Sequence, residues 1–332
     1  MVKKYVIITS IQDLTESVLK YAEMKDWQVV IVGDKKSPKL KRQPHPNITF
    51  LSIEEQEDLD FASYSCCPFN HYSRKNLGYL YAISQGAEII ADADDDNMPY
   101  SDWETSSNFE ISDLDIISGS ECANVYRYFT DEFVWPRGYP LSTILNGHKL
   151  SITKIQNPKI AIIQGLVDGD PDVDAIYRLT VGKPVTWRKC NPIVLNKGTF
   201  CPINSQNTFW AREAFTYMYL PTTVTFRFTD ILRGYIAQAG IWSIGAMAAF
   251  TSPSVFQSRN LHDFKLDFID EIPCYMQVES LIKLLTDADL TGDSVKDLTE
   301  IYKVLHSKGI VSKEEIICVT NWIEDLNKLE LL

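Results

Sequence analysis

Residues 87–100 read AEIIADADDDNMPY: a short apolar run, then four aspartates in five positions. Like charges that close repel one another. A chain keeps them together where a cation lies between them or where they all face water. Position bears on the choice. Upstream, KYVIIT (4–9) reads as a buried strand, and DLTESVLKYAEMKD (13–26) as a helix with Leu14, Val18, Leu19 and Ala22 on one side. WQVVIVGD (27–34) is a second strand and ITFL (48–51) a third. HYSRKNLGYLYAISQGA (71–87) has helical spacing and stops at Gly86, after which EIIADA forms the fourth strand. Strands alternating with helices predict an α/β fold with a mostly parallel central sheet, whose ligands gather outside the carboxyl ends of the strands. Asp34 and the aspartate run both sit at such ends.

The remaining composition narrows the classes. The chain has 332 residues, 45% of them hydrophobic, with 44 acidic against 32 basic residues and a net charge of −12. A nucleic-acid surface needs clustered Lys and Arg, so nucleic acid is not an expected partner. No apolar run approaches the roughly 18 residues of a membrane span, and the start lacks a signal-type apolar region. The seven cysteines are odd in number and form no CxxC pair, which predicts reduced thiols and a cytoplasmic location. The basic, Pro-containing stretch KKSPKLKRQPHPN (35–47) reads as a surface loop.

Several ligand-binding designs are absent. Counted from Asp92, an EF-hand would need Gly and Glu where Asn97 and Trp103 stand. No GxxxxGK[ST], GxGxxG or GxSxG occurs. A solvated acidic turn remains the plain alternative on composition. The strand-end D-D-D, however, offers alternate carboxylates able to share one Mn²⁺ or Mg²⁺ ion, completed by water and a diphosphate.

A strand-end acidic triplet after an α/β half resembles the DXD arrangement of GT-A nucleotide-sugar glycosyltransferases. The ordered strings VVIVGDKKSP, RKNLGYLYAISQGAEIIADADDDN, WPRGYPL, DGDPDVDAIYRLT, NSQNTFW and QSRNLHDF resemble the STELLO family of plant Golgi proteins over about residues 4–275. RGYP and GLVDGDPDVDA also resemble the reversibly glycosylated polypeptides, which are UDP-arabinopyranose mutases. The resemblance implies a GT-A-type domain over 1–274, a nucleotide-sugar donor and a glycan or other hydroxyl acceptor, while the helical texture of MQVESLIKLLTDA, SVKDLTEIYKVLHSKG and KEEIICVTNWIEDLNKLELL predicts a C-terminal helical appendage over 275–332. It implies that Asp94 and Asp96 bind the metal, with Asp94 and Asp95 also at the nucleotide-sugar. His262 would complete the metal set. Asp34 would face the base or ribose, with Thr9 and Ser10 placed alike, and Arg74 and Lys75 would meet phosphates or ribose.

On the acceptor side, DGDPDVDAIYRL (168–179) supplies Asp172 and Asp174 as a sugar-side wall, and Trp210, Trp135 and Tyr139 are candidate stacking rings. A helix expected to start at Thr229 or Asp230 makes Asp230 resemble the catalytic base, with Arg233 one turn on. Arg137 of RGYP matches the arginine of the mutases, so a mutase or self-glycosylating protein is the alternative. The chain departs from that pattern at LSTILNG, which has no second arginine. A non-catalytic nucleotide-sugar-binding scaffold is the reading from another class.

Overall fold

The computed structural model describes residues 2–145, 150–258 and 263–331. β1 (Lys4–Thr9) and β2 (Trp27–Val32) form from nearly continuous apolar runs. Both strand faces are covered: Val6, Ile8, Val29 and Ile31 join one buried cluster, and Ile7, Val30 and Val32 another. Two-sided burial is why these runs do not alternate with polar residues. Between them, α1 (Glu16–Ala22) is shorter than the 13–26 segment because Thr15 caps it, its hydroxyl accepting the Val18 N–H. β3 (Ile48–Leu51) leads into α2 (Ile53–Asp58), opened by a Ser52/Glu55 capping box. α3 (Lys75–Ser84) follows a 3₁₀ turn at Tyr72–Arg74. It approaches the sheet so closely that a Cβ on Gly78 would lie 2.5 Å from Ile7 and 2.6 Å from Val32. β4 (Ile89–Ala93) then carries the chain to the aspartates.

After β4 the chain runs through β5 (Asn97–Pro99), β6 (Leu114–Ser118), α4 (Tyr126–Phe129), β7 (Ser151–Ile155), β8 (Ile160–Gly169), α5 (Ala175–Thr180), β9 (Ile193–Leu195) and β10 (Asn207–Ala211). α6 (Phe226–Ser243), β11 (Met247–Gln257), α7 (Phe264–Thr286), α8 (Ser294–Ser307) and α9 (Lys313–Lys328) follow. Among the described residues the strands form one eleven-stranded sheet in the order β3-β2-β1-β4-β10-β8-β11-β9-β6-β7, with β5 paired to β11. Pairings within β3-β2-β1-β4 are all parallel. β10 enters antiparallel to both β4 and β8, and from there the sheet is mixed. Regular strand–helix alternation stops after β4, and consistently parallel pairing stops with it.

One boundary differs from expectation. α6 begins at Phe226, so Asp230 lies in its second turn and not at its start. α7 runs unbroken through residue 275, and α7–α9 share one buried cluster with α6 and one face of the sheet. No helix among the described residues is long and apolar enough to cross a membrane.

Candidate active site

The carboxyl ends of β1, β2 and β4 open on a cleft of about 460 Å³. Thr9, Ser10, Asp34, Arg74, Asp94, Asp95 and Asp96 line it from this side, and Arg137, Asp172 and Asp230 from the other. The three consecutive aspartates are not equivalent. Asp95 is tied back to β1 by the Ser10 hydroxyl, which donates to Oδ2 at 2.5 Å, while Thr15 Oγ1 donates to the Asp95 carbonyl at 2.6 Å. Asp94 Oδ1 accepts from the Tyr72 hydroxyl at 3.1 Å. Both oxygens of Asp96 lie 3.1 Å from Gln257 Nε2. Burial pushes the Asp94 carboxyl up to about 7, against the pull of Lys75, with Asp96 and Asp95 raising it further. Asp95 is also raised by burial, opposed by the Ser10 hydroxyl.

Asp34 organises the cleft rim at the end of β2. Its Oδ1 accepts the Lys35 N–H and its Oδ2 the Asn70 N–H, each at 2.7 Å. This ties the segment after β2 to the turn preceding α3. Arg74 also reaches the cleft, but its guanidinium donates to Gln56 Oε1 and, at 2.9 Å, to the Cys67 carbonyl, and it stacks over Phe69 at 4.6 Å.

Three residues expected at the site lie below its floor. Asp92, the first aspartate of the run, is fully buried and needs compensating charge. Lys75 Nζ sits 3.3 Å from Asp92 Oδ1, Arg233 Nη1 3.0 Å from Oδ2, and Trp210 Nε1 donates to Oδ2 at 2.9 Å. Arg233 stacks over the Trp210 ring at 4.6 Å, and Tyr79 donates to Asp92 as well. All are sealed from solvent, so Lys75, Arg233 and Trp210 support the strand end from within and line no part of the cleft.

Across the cleft, the Arg137 guanidinium is clamped between two carboxylates. Nε and Nη2 donate to Asp172 at 2.8 and 2.9 Å, and Nη1 and Nη2 to Asp230 at 3.0 and 2.9 Å. Nη1 also donates to the Arg227 carbonyl. Asp174 is elsewhere: fully buried, it caps α5 through the Tyr177 N–H and accepts from Trp135 Nε1 at 2.6 Å. Burial pushes its carboxyl up to about 6, with Glu271 and Asp172 adding to the rise. Trp135 and Tyr139 are buried core rings.

The expected third metal ligand, His262, lies outside the described residues. Among those described, no three His, Cys, Asp or Glu side chains converge as a metal cluster. Asp94 and Asp96 nevertheless fit a hard divalent cation. They are partly exposed oxygen donors on the cleft, and burial together with the neighbouring carboxylates disfavours the charged form of Asp94 without one. Sequence reasoning missed Tyr72, Ser205, Gln206, Phe226 and Gln257, all on the cleft wall. Ser205 and Gln206 stand in NSQNTFW, and Gln257 opens QSRNLHDF. Both strings were visible, but hydroxyl and amide residues carry no spacing rule that would single them out.

No family model matches the chain. It is 28% identical over 351 aligned residues to an Arabidopsis thaliana protein named as a probable glycosyltransferase, STELLO2, with 98% of this chain and 44% of that protein covered. The corresponding STELLO1 is 27% identical over the same extent. The chain thus spans less than half the length of these relatives. Among solved structures, a mycobacterial protein overlays with TM-score 0.42 at 9% identity, covering 85% of this chain and 74% of that one. Glucosyl-3-phosphoglycerate synthase from Mycobacterium tuberculosis overlays with TM-score 0.38 at 11% identity, covering 85% and 79%. Both overlays are too distant to bear on function. The sequence relation is different in kind: over 98% of its length the chain is similar to the STELLO proteins, as its ordered motifs imply.

Proposed function

We propose that the chain is a GT-A-type glycosyltransferase unit that moves a sugar from a nucleotide-sugar to a hydroxyl acceptor. The observation that carries this reading is one cleft shared by Thr9, Ser10 and Asp34, the alternate carboxylates of Asp94 and Asp96, and Asp230 opposite. The first three suit the nucleoside. Asp94 and Asp96 would hold Mn²⁺ or Mg²⁺, which when bound supplies neutralising charge at the departing diphosphate. UDP is the proposed nucleotide, in line with the likeness of RGYP and GLVDGDPDVDA to UDP-sugar mutases.

Asp230 is the proposed proton acceptor for the attacking hydroxyl. Its placement does not depend on a helix start. Its carboxylate is held by Arg137, which it shares with Asp172. The same arrangement argues against Arg137 as a nucleophile. Its N–H groups are spent on Asp172, Asp230 and the Arg227 carbonyl, and although burial works against the charge, the two carboxylates together hold the guanidinium protonated. The transferase reading is therefore preferred to the mutase one.

The test is incubation with a panel of radiolabelled UDP-sugars and Mn²⁺, following UDP release and label transfer to water or added glycans. Release that stops on chelation and falls about 10²–10⁴-fold in Asp230→Asn supports the reading. Label retained on Arg137 of the wild-type chain would favour the mutase instead.

A further inference from the structure

Tyr72 sits in the 3₁₀ turn before α3, and its hydroxyl is where the two sides of the cleft meet. Lys75 Nζ lies 3.0 Å from it and Ser205 Oγ 2.7 Å. An ammonium can only donate, and the serine donates along the shorter of its two contacts, so the phenol oxygen accepts twice. Its single proton is left for Asp94 Oδ1 at 3.1 Å, the nearer of two acceptors, the other being the Ser205 carbonyl at 3.3 Å. Ser205 is in turn fixed to the opposite wall. Its N–H donates to Asp230 Oδ2 at 3.2 Å, and its Oγ lies 3.2 Å from the same oxygen. The ring cannot easily swing away, because Phe226 packs edge-on against it with centroids 5.5 Å apart.

We infer that Tyr72 and Ser205 are positioning residues that hold the Asp94 and Asp230 carboxylates in one register across the cleft floor. The inference rests on the proposed role of Asp94 at the cation. On that role, Asp94 fixes the donor's leaving group while Asp230 fixes the acceptor hydroxyl. Displacing reacting partners by about 1 Å can cost on the order of 10² in rate. A hydrogen-bonded bridge between the two carboxylates sets that separation before either substrate arrives. Lys75 keeps the bridge oriented: it is pinned by Asp92 at 3.3 Å and the Ala93 carbonyl at 3.0 Å, so its remaining donor capacity is aimed at the phenol.

The test is a calorimetric titration of the intact chain with Mn²⁺ in the presence of UDP, for wild type, Tyr72→Phe, Ser205→Ala and the double variant. Thermal melts establish that each is folded. Removing a hydrogen bond that orients a metal ligand typically weakens metal binding about 10–100-fold, and Tyr72→Phe is expected in that range. Ser205→Ala touches no proposed ligand yet is expected to weaken Mn²⁺ as well, and the double variant to be no weaker than Tyr72→Phe alone. Wild-type Mn²⁺ affinity in both single variants overturns the bridge while leaving the proposed function standing. Strictly additive losses overturn it too, since they assign the two residues separate roles. Failure of the wild-type chain to bind Mn²⁺ with UDP overturns the cation reading, and this inference with it.

Discussion

At the scale of single residues, Arg137 makes the most consequential contacts, because two carboxylates depend on it in a nearly dry setting. Truncating one partner of a buried ion pair strands the other, at a cost of about 3–5 kcal/mol. Arg137→Ala should lose stability of that order in urea denaturation, a loss that an exposed nucleophile would not produce. His71 supplies the acid-side expectation. Burial holds its imidazole below the ordinary value of 6.5, and its Nδ1 accepts the Ser73 N–H at 3.1 Å. A lowered folded value means that the native state binds fewer protons than the unfolded chain. The associated stability is complete above about 6.5 and is lost as pH falls through that value toward the folded one. His71→Asn keeps an acceptor for Ser73 and should flatten the decline of the melting midpoint below pH 6.5. An unchanged decline would place the titrating group elsewhere. Residue identity alone could not rank the aspartates: Asp92 serves the buried network and Asp94 the cleft because Arg233 and Trp210, distant in sequence, reach only the former.

Among the elements, α9 does more than cover the sheet. Its buried Glu315 accepts from the Tyr219 hydroxyl at 2.5 Å and from the Thr222 and Thr223 N–H groups at 2.9 and 2.7 Å, holding the segment that enters α6. Its Asp325 accepts the Ala62 and Ser63 N–H groups, each at 2.8 Å, behind the turn that leads to Tyr72. Glu315→Ala leaves three donors unmatched and should cost roughly 3 kcal/mol. The urea midpoint should fall with the denaturant slope unchanged; a midpoint matching wild type would deny α9 this anchoring role. Gly234 lets α6 pack directly on the backbone ahead of β10: a Cβ there would lie 2.1 Å from the Ile203 carbonyl oxygen. Element type was readable from the short apolar runs of β1–β4 and from the helical apolar period of the C-terminal segments. The start of α6 was not, for a local reason. Thr225 occupies the cap position without a side-chain cap bond, whereas Thr229 and Asp230 have the residue types of a cap but lie inside the helix.

For the whole molecule, the β3-β2-β1-β4 order places three parallel strand ends side by side, and that geometry creates the half of the cleft that carries Asp34 and the aspartate run. This half was legible because local strand–helix alternation implies it. The other half depends on β10 running antiparallel between β4 and β8, and on α6 carrying Asp230 to Arg137. Those are long-range pairings with no local period, so Asp230 and Arg137 could be nominated by resemblance but not joined. On the proposed reading, a diphosphate can approach the strand ends only once a cation neutralises Asp94 and Asp96. The measurement that tests this claim most directly is calorimetric titration of UDP in Mn²⁺ and in EDTA, with wild type beside Asp94→Ala and Asp96→Ala. Wild-type chain should bind UDP at least about tenfold more tightly with Mn²⁺, with that advantage lost in both variants. Equal UDP affinity in Mn²⁺ and in EDTA would contradict it.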